Sequence, residues 1–419
     1  MTLDSPSYSI PKSLERTPPG DGGSRNGRSI LSKGPAHPVS SNPRLPVTTN
    51  LKLEPTTDRS PAAAFRVVAM GGGTGLSTLL RGLKRYVASP VSTGAVGAQA
   101  SHTYPVLVSD LAAIVTVTDD GGSSGRLRKD FNILPPGDLR NCMVALSEDE
   151  TLISRLFRHR FRSGEGLEGH SFGNLFVAAL AEITGDFAQA IKLSSQVLAT
   201  RGHIYPATIS DVSLTARMDD GSVVHGETNI TASKRRIVQL ILDPADAVPL
   251  PETLDALERA DLITIGPGSL YTSLITNLLV KGIPEALTAA RGTRVYICNL
   301  MTQANESLNL TASQHIERIY EHAGGPIFDF ALVNTAPVSE ELRSRYASEG
   351  AAPIEADIER IEALGVRVIV GDFAAEGSVL RHDTDRVADT LMKIGLARRA
   401  DVMPEPDGVG TASAGAGLL

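Results

Sequence analysis

The sequence predicts an α/β fold: a Rossmann-like, doubly wound, mostly parallel sheet with a small antiparallel β insertion. Three observations carry this expectation. Short apolar runs such as "FRVVAM", "LITIG" and "GVRVIVGDF" alternate with stretches whose apolar residues recur at helical spacing. Two such runs end in glycine clusters that open helices. One stretch, residues 203–242, alternates in hydrophobicity and carries a turn signal at Asp220–Gly221.

Composition sets the outer bounds. The 419 residues are 42% hydrophobic and 21% charged, enough for a large α/β core. A formal net charge of −7 argues against a global basic field, so no nucleic-acid partner is expected. The two cysteines, Cys142 and Cys298, lie far apart and form no CxxC, which disfavours a zinc site and fits a reducing cytoplasm. No apolar run approaches the roughly 18 residues of a membrane span. The expectation is a soluble cytoplasmic protein.

Residues 1–62 read as a disordered N-terminal tail. Pro, Ser and Gly recur there, and sparse apolar clusters do not offset an ordering entropy of about 1–2 kcal/mol per residue. A plastid-type transit peptide is the rival reading, diluted by Asp4, Glu15, Asp21, Glu54 and Asp58. One nucleotide-binding α/β domain is expected over 63–402, and 403–419 reads as a flexible C-terminal tail.

Within that domain the strand "FRVVAM" leads into a helix with Leu76, Leu79, Leu80 and Leu83 on one face. Residues 88–105 lack periodicity and read as a surface insertion. "LAAIVTVTDD" is the next strand, followed by helices around 138–148, 150–160, 173–183 and 186–199. After the antiparallel hairpin or meander at 203–242, the strands "LITIG" and "RVYICNL" flank a helix that begins after Gly268. "FDFALVN" and "GVRVIVGDF" close the sheet, with helices near 311–322, 338–347 and 384–398.

The first glycine cluster is Gly71, Gly72, Gly73 and Gly75, between a strand and a helix. Glycine lets a backbone approach a ligand closely, and the helix start behind it favours an anion. The dinucleotide pattern G-x-G-x-x-G fails at its third glycine, where Leu76 or Thr78 stands according to register. A nucleotide or phosphate ligand is therefore favoured over a dinucleotide cofactor or a purely structural turn.

In "TVTDDGGSSGRLR", Asp119 and Asp120 end a strand where open α/β sheets bind ligands. Ser123 and Ser124 offer hydroxyls and Arg126 a fork for phosphate. The aspartates suit a ribose hydroxyl or a divalent cation, and an Asx-turn with solvated charges is the plainer alternative. Asp138 reads as a helix N-cap after Pro136 and Gly137, while Arg140 and Asn141 suggest ligand contact. Asn174 reads as a ligand hydrogen-bonder, with helix capping as its alternative; the adjacent His170 and Ser171 are no catalytic arrangement in themselves. "ITIGPGSLY" repeats the first logic with Gly266, Gly268 and Ser269, and Tyr271 is expected to offer a ring and a hydroxyl near the mouth. Asn299, Thr302, Gln303 and Asn334 are further polar candidates in loops after strands.

The ordered strings "GGGTGLSTLLRGLK", "TVTDDGGSSGRLR", "PPGDLRNC", "GHSFGNL", "GPGSLYTS" and "CNLMTQ" resemble the gluconeogenesis factor family (YvcK/GlmR-like), within the CofD-like 2-phospho-L-lactate transferase superfamily. The resemblance covers about residues 65–398. It implies a nucleotide pocket at the carboxyl edge of the sheet. It further implies a UDP-N-acetylglucosamine-binding regulator that links carbon metabolism to peptidoglycan precursor supply and cell shape. A protein partner in amino-sugar synthesis follows from the same resemblance, and a homo-oligomer is compatible with it. Carried over residue by residue, Gly72, Gly73, Thr74 and Gly75 would embrace the ligand. Asp119, Asp120, Asp138, Arg140, Asn141 and Asn174 match the following motifs, and Tyr271 matches a tyrosine associated with nucleotide-sugar binding. Asn305 and Ser307 depart from the family's usual MTQ-x-G-E-T string.

No cofactor or resident metal is required under this reading. The alternative is a CofD-type phospholactyl transferase with a guanosine diphosphate-linked donor and a deazaflavin alcohol acceptor. Asp119 or Asp120 would then hold Mg²⁺ or position the acceptor. An NAD-dependent oxidoreductase lacks both the third glycine and a hydride-transfer constellation.

Overall fold

The computed structural model describes residues 65–88, 107–148, 151–233, 235–304 and 306–402. The tails expected at 1–62 and 403–419, and all of the 88–105 insertion except its first residue, lie outside the described residues.

Twelve strands are described. They are β1 (Arg66–Gly71), β2 (Asp110–Val115), β3 (His203–Pro206), β4 (Ser213–Met218), β5 (Val223–His225), β6 (Ile237–Asp243), β7 (Leu262–Ile265), β8 (Thr293–Ile297), β9 (Phe330–Asn334), β10 (Arg367–Gly371), β11 (Ala374–Ala375) and β12 (Arg381–His382). Seven form one sheet in the order β10-β9-β8-β7-β1-β2-β3. Every pairing in it is parallel. The central strands are continuous apolar runs because helices cover both faces. Val67, Val68, Ala69 and Met70 of β1 and Leu262, Ile263 and Ile265 of β7 are accordingly buried.

Strand order explains where a site can form. From β1 the chain runs through the helix Gly73–Leu83 to β2 on one side. From β7 it runs through helical turns at Leu270–Ile275 and Ile283–Ala289 to β8 on the other side. Neighbouring strands with diverging connections leave a crevice at their carboxyl ends. The two glycine turns read from the sequence follow β1 and β7, so both border that crevice.

The helix Gly73–Leu83 buries the expected stripe, Leu76, Leu79, Leu80 and Leu83, against the sheet. A second, three-stranded sheet, β5-β4-β6, is antiparallel, and the Asp220–Gly221 turn lies between β4 and β5. One boundary differs from expectation. His203–Pro206 is not part of this meander but pairs parallel with β2 at the edge of the main sheet. Its alternating burial is that of a half-covered edge strand, which from sequence looks the same as a meander strand.

The two glycine turns touch. At Gly75 a Cβ would collide with the carbonyl of Pro267, and it would lie 3.0 Å from the Gly268 nitrogen. Glycine at 75 is therefore a packing requirement between two loops. Gly75→Ala should lower stability by about 1–3 kcal/mol, the usual range for overpacking against backbone. Urea unfolding measures it, and a change below ~0.5 kcal/mol would show that the turns do not press on each other.

Candidate functional site

The first turn starts at Gly72, whose backbone is extended, and turns at Gly73, where φ is 60°. Glycine adopts that angle without strain. The exposed Thr74 follows. The Gly73 N–H points into the crevice and donates to Asp138 Oδ2 at 2.6 Å. Asp138 was expected as a helix N-cap. Instead Pro136 is the cap of Gly137–Leu146, and Asp138 lies in the first turn with its carboxylate spent across the crevice on another helix's N-terminus.

The second turn contains Gly266, at φ 92°, and Gly268. Asn299 holds Gly268 from both sides. It accepts from the Gly268 nitrogen at 3.3 Å and donates to the Gly268 oxygen at 2.7 Å. Gln303 Nε2 donates to Ser269 Oγ at 2.9 Å, while among the described residues its buried Oε1 has no hydrogen-bond partner. The loop after β8 thus braces the loop after β7, so Asn299 and Gln303, read from the sequence as polar site candidates, serve to hold the second turn.

Tyr271 sits elsewhere than expected. Leu270–Ile275 forms a π-helical turn with all six side chains buried. The Tyr271 side chain is 1% exposed, and its hydroxyl donates to Ile237 O at 3.2 Å. It ties β6 to this turn rather than presenting a free ring at the mouth. Burial pushes its phenol up to about 12. Glu306 caps the same turn, accepting from Tyr271 N at 3.2 Å, Thr272 N at 3.4 Å and Thr272 Oγ1 at 2.9 Å.

On the β2 side the aspartates separate. Asp119 Oδ1 accepts from Gly121 N at 3.0 Å. Asp120 Oδ1 accepts from Thr228 N at 2.8 Å and Thr228 Oγ1 at 2.5 Å, capping the short helix Glu227–Ala232. Asp120 is therefore used to dock the meander, and Asp119 alone of the pair stays with the crevice carboxylates. Gly137 leaves room for this, since a Cβ there would lie 3.2 Å from Asp119 Oδ2 and overlap Ser124 Oγ.

Below the rim lies a buried polar chain. Arg140 Nε donates to Asn174 Oδ1 at 3.2 Å, Asn174 Nδ2 to Ser123 Oγ at 3.1 Å, and Ser123 Oγ pairs with His170 Nδ1 at 2.9 Å. Asn174 also gives its N–H to the capping Ser171 Oγ at 3.1 Å. With every polar group committed and 1% exposure, Asn174 acts as a brace rather than as an open ligand contact. Arg126 reaches the Glu168 carbonyl at 2.7 Å and so fastens the neighbouring loop instead of facing the glycine turns.

Glu227 was missed from the sequence. Thr118 Oγ1 donates to Glu227 Oε2 at 2.7 Å, across 109 residues of chain. No local pattern announces a contact of that separation. Burial, opposed by the Thr118 bond and aided by the charges of Asp119, Asp138 and Glu306, pushes Glu227 up to about 8. Burial also lifts Asp138 to about 6, against the Gly73 N–H bond and with help from Asp119. The crevice therefore sets the Gly73 N–H, held by Asp138, beside carboxylates reluctant to ionise together. It suits a ligand that brings hydroxyls or a bound cation along with its anionic group. No cluster of three His, Cys, Asp or Glu side chains among the described residues is arranged to hold a metal by itself.

These shifts have a stability consequence. An acid with a raised folded pKa destabilises the fold as pH rises from its unfolded value through its folded one. The unfolding temperature should fall between about pH 4.5 and pH 8, the window of the Glu227 shift. Glu227→Gln should flatten that fall and melt higher than wild type at pH 8. Equal pH profiles in scanning calorimetry would place Glu227 in an ordinary solvated setting.

Residues 67–374 match the family model described as 2-phospho-L-lactate transferase CofD. The chain is 47% identical over 328 residues to a protein named gluconeogenesis factor from Halalkalibacterium halodurans, covering 78% of this chain and 95% of the relative. It is 46% identical over 330 residues to a gluconeogenesis factor from Bacillus subtilis, covering 78% and 98%. A crystal structure of a UPF0052 family member from Bacillus halodurans superposes with a TM-score of 0.72 at 46% identity, covering 78% of this chain and 99% of that one. The solved neighbour shares the α/β fold, and no helix among the described residues is long and apolar enough to cross a membrane. On fold, motifs and identity alike, this chain belongs to the gluconeogenesis factor family within the CofD-like proteins.

Proposed function

We propose that the chain is a regulator that binds a nucleotide sugar, UDP-N-acetylglucosamine, in the crevice between its two glycine turns. The observation that carries the reading is the direct packing of Gly75 on Pro267, which makes one rim of two backbone cradles. A diphosphate needs several N–H donors in one place, and two turns at a switch point would bring them together once Asp138 and Asn299 release the Gly73 and Gly268 N–H groups. The resident Asp138 carboxylate on the Gly73 N–H marks where a ligand oxygen would compete.

Regulation would work by population shift. A ligand oxygen displacing Asp138 from Gly73 frees the start of helix Gly137–Leu146 to move relative to helix Gly73–Leu83. The ligand shifts that balance only to the extent that it binds one arrangement better. The downstream roles, setting peptidoglycan precursor supply and cell shape through a protein partner in amino-sugar synthesis, rest on the kinship with gluconeogenesis factors.

One observation favours a second reading, the phospholactyl transferase. Asp119, Asp138 and Glu227 gather acidic groups beside the cradles, two of them with pKa values raised to about 6 and about 8. Groups poised near neutrality suit proton transfer. Mg²⁺ would be held by one or two of these carboxylates together with ligand phosphates, its usual manner.

Thermal unfolding separates the readings. UDP-N-acetylglucosamine at 100 times its Kd should stabilise the chain by about 2.7 kcal/mol. GDP with deazaflavin alcohol, and NAD, each with and without Mg²⁺, serve as the other arms. Stabilisation by GDP plus the deazaflavin alcohol and none by the UDP-sugar would reverse the assignment.

A further inference from the structure

The helix Phe172–Thr184 turns its small side chains inward and its large ones outward. Gly173, Asn174, Val177, Ala178 and Ala181 are the buried positions. Phe172, Leu175, Phe176, Ala179 and Ile183 recur at i, i+3, i+4, i+7 and i+11, which places them on the opposite stripe. Ile183 is 78% exposed, Ala179 is exposed, and Phe172, Leu175 and Phe176 are half-buried. Glu182 is the one charged residue of the helix.

Helices Leu152–Arg158 and Phe187–Val197 pack against this helix and leave Ala179 and Ile183 in the open. Phe157 sets its ring 4.9 Å from that of Phe176 and 6.2 Å from that of Phe172. The same neighbouring helix exposes Leu152 and Leu156. A surface helix ordinarily gives its polar side to water, so an apolar outer stripe of three turns marks an interaction surface. The two ends of the helix differ in charge. Phe172 N–H donates to His159 O, and Arg160 bridges Ser171, which brings the exposed Arg160 and Arg162 to the amino end. The exposed Glu182 and Asp186 stand at the carboxyl end.

We infer that this face docks a second copy of the chain, helix Phe172–Thr184 packing antiparallel on itself about a twofold axis near Ala179. Charge selects this occupant. An antiparallel pair sets each acidic end against the other copy's basic end and opposes the two helix dipoles, whereas a parallel pair sets like ends together. Shape selects it too. The small Ala179 lets the two backbones approach at the axis, and the spacing then sets Leu175 of each copy against Ile183 of the other. The helix is only about 20 Å long, so the interface falls short of the roughly 800 Å² per partner of a standard one, and a reversible, micromolar dimer is expected. The inference does not depend on which ligand the crevice takes.

Sedimentation velocity of the full chain from about 1 to about 100 µM tests the proposal, with a monomer–dimer equilibrium as the expected result. Ile183→Glu should weaken the dimer about a hundredfold, because the twofold axis brings the change in twice. Its melting temperature should stay near that of wild type, since Ile183 is exposed. A second variant tests the axis itself. Both native cysteines are buried, so under mild oxidation Ala179→Cys should cross-link one copy to another, and Ile183→Cys should do so far less. A monomer at every concentration, a dimer that Ile183→Glu leaves intact, or equal cross-linking at positions 179 and 183 would overturn the proposal. So would photo-cross-linking that joins position 183 to residues 1–64 of its own chain in place of a second copy.

Discussion

The contact of Gly75 with the carbonyl of Pro267 is the constraint on which the rest of the site depends. Two turns that follow neighbouring strands can each be well formed and still be useless together if side chains hold them apart. Here the missing Cβ lets one backbone rest on the other. The Gly268 amide and carbonyl are then fixed by Asn299, and the first turn is fixed by Asp138. Rigidity of this kind is what allows N–H groups to be aimed at a ligand before it arrives.

Electrostatics sets the character of the crevice, which gathers Asp119, Asp138 and Glu227. Asp138 faces the Gly73 N–H and offsets the charge of Arg140. Burial keeps Asp138 and Glu227 from ionising easily, so negative charge in the crevice carries an electrostatic cost.

The sheet and its two cradles were legible in the sequence because they rest on local signals. An apolar run, a glycine cluster and a Leu stripe occupy consecutive positions from Val67 to Leu83. The direction of side chains was less legible. Tyr271 follows a glycine turn, yet the π-helical opening of its helix sends the ring toward β6. Asp138 follows Pro136 and Gly137 as a cap would, yet it serves a helix 65 residues earlier. Thr118 meets Glu227 and Asp120 meets Thr228 through a meander whose docking no periodicity records. Local chemistry announces where the backbone turns; long-range contacts decide what each turn's side chains are spent on.

The central claim is that a single ligand engages both glycine turns at once. Hydrogen–deuterium exchange with and without UDP-N-acetylglucosamine measures this directly. Joint protection of the peptides spanning residues 71–76 and 266–270 is the predicted result. Protection confined to one of them, or found only at a distant surface, would contradict it.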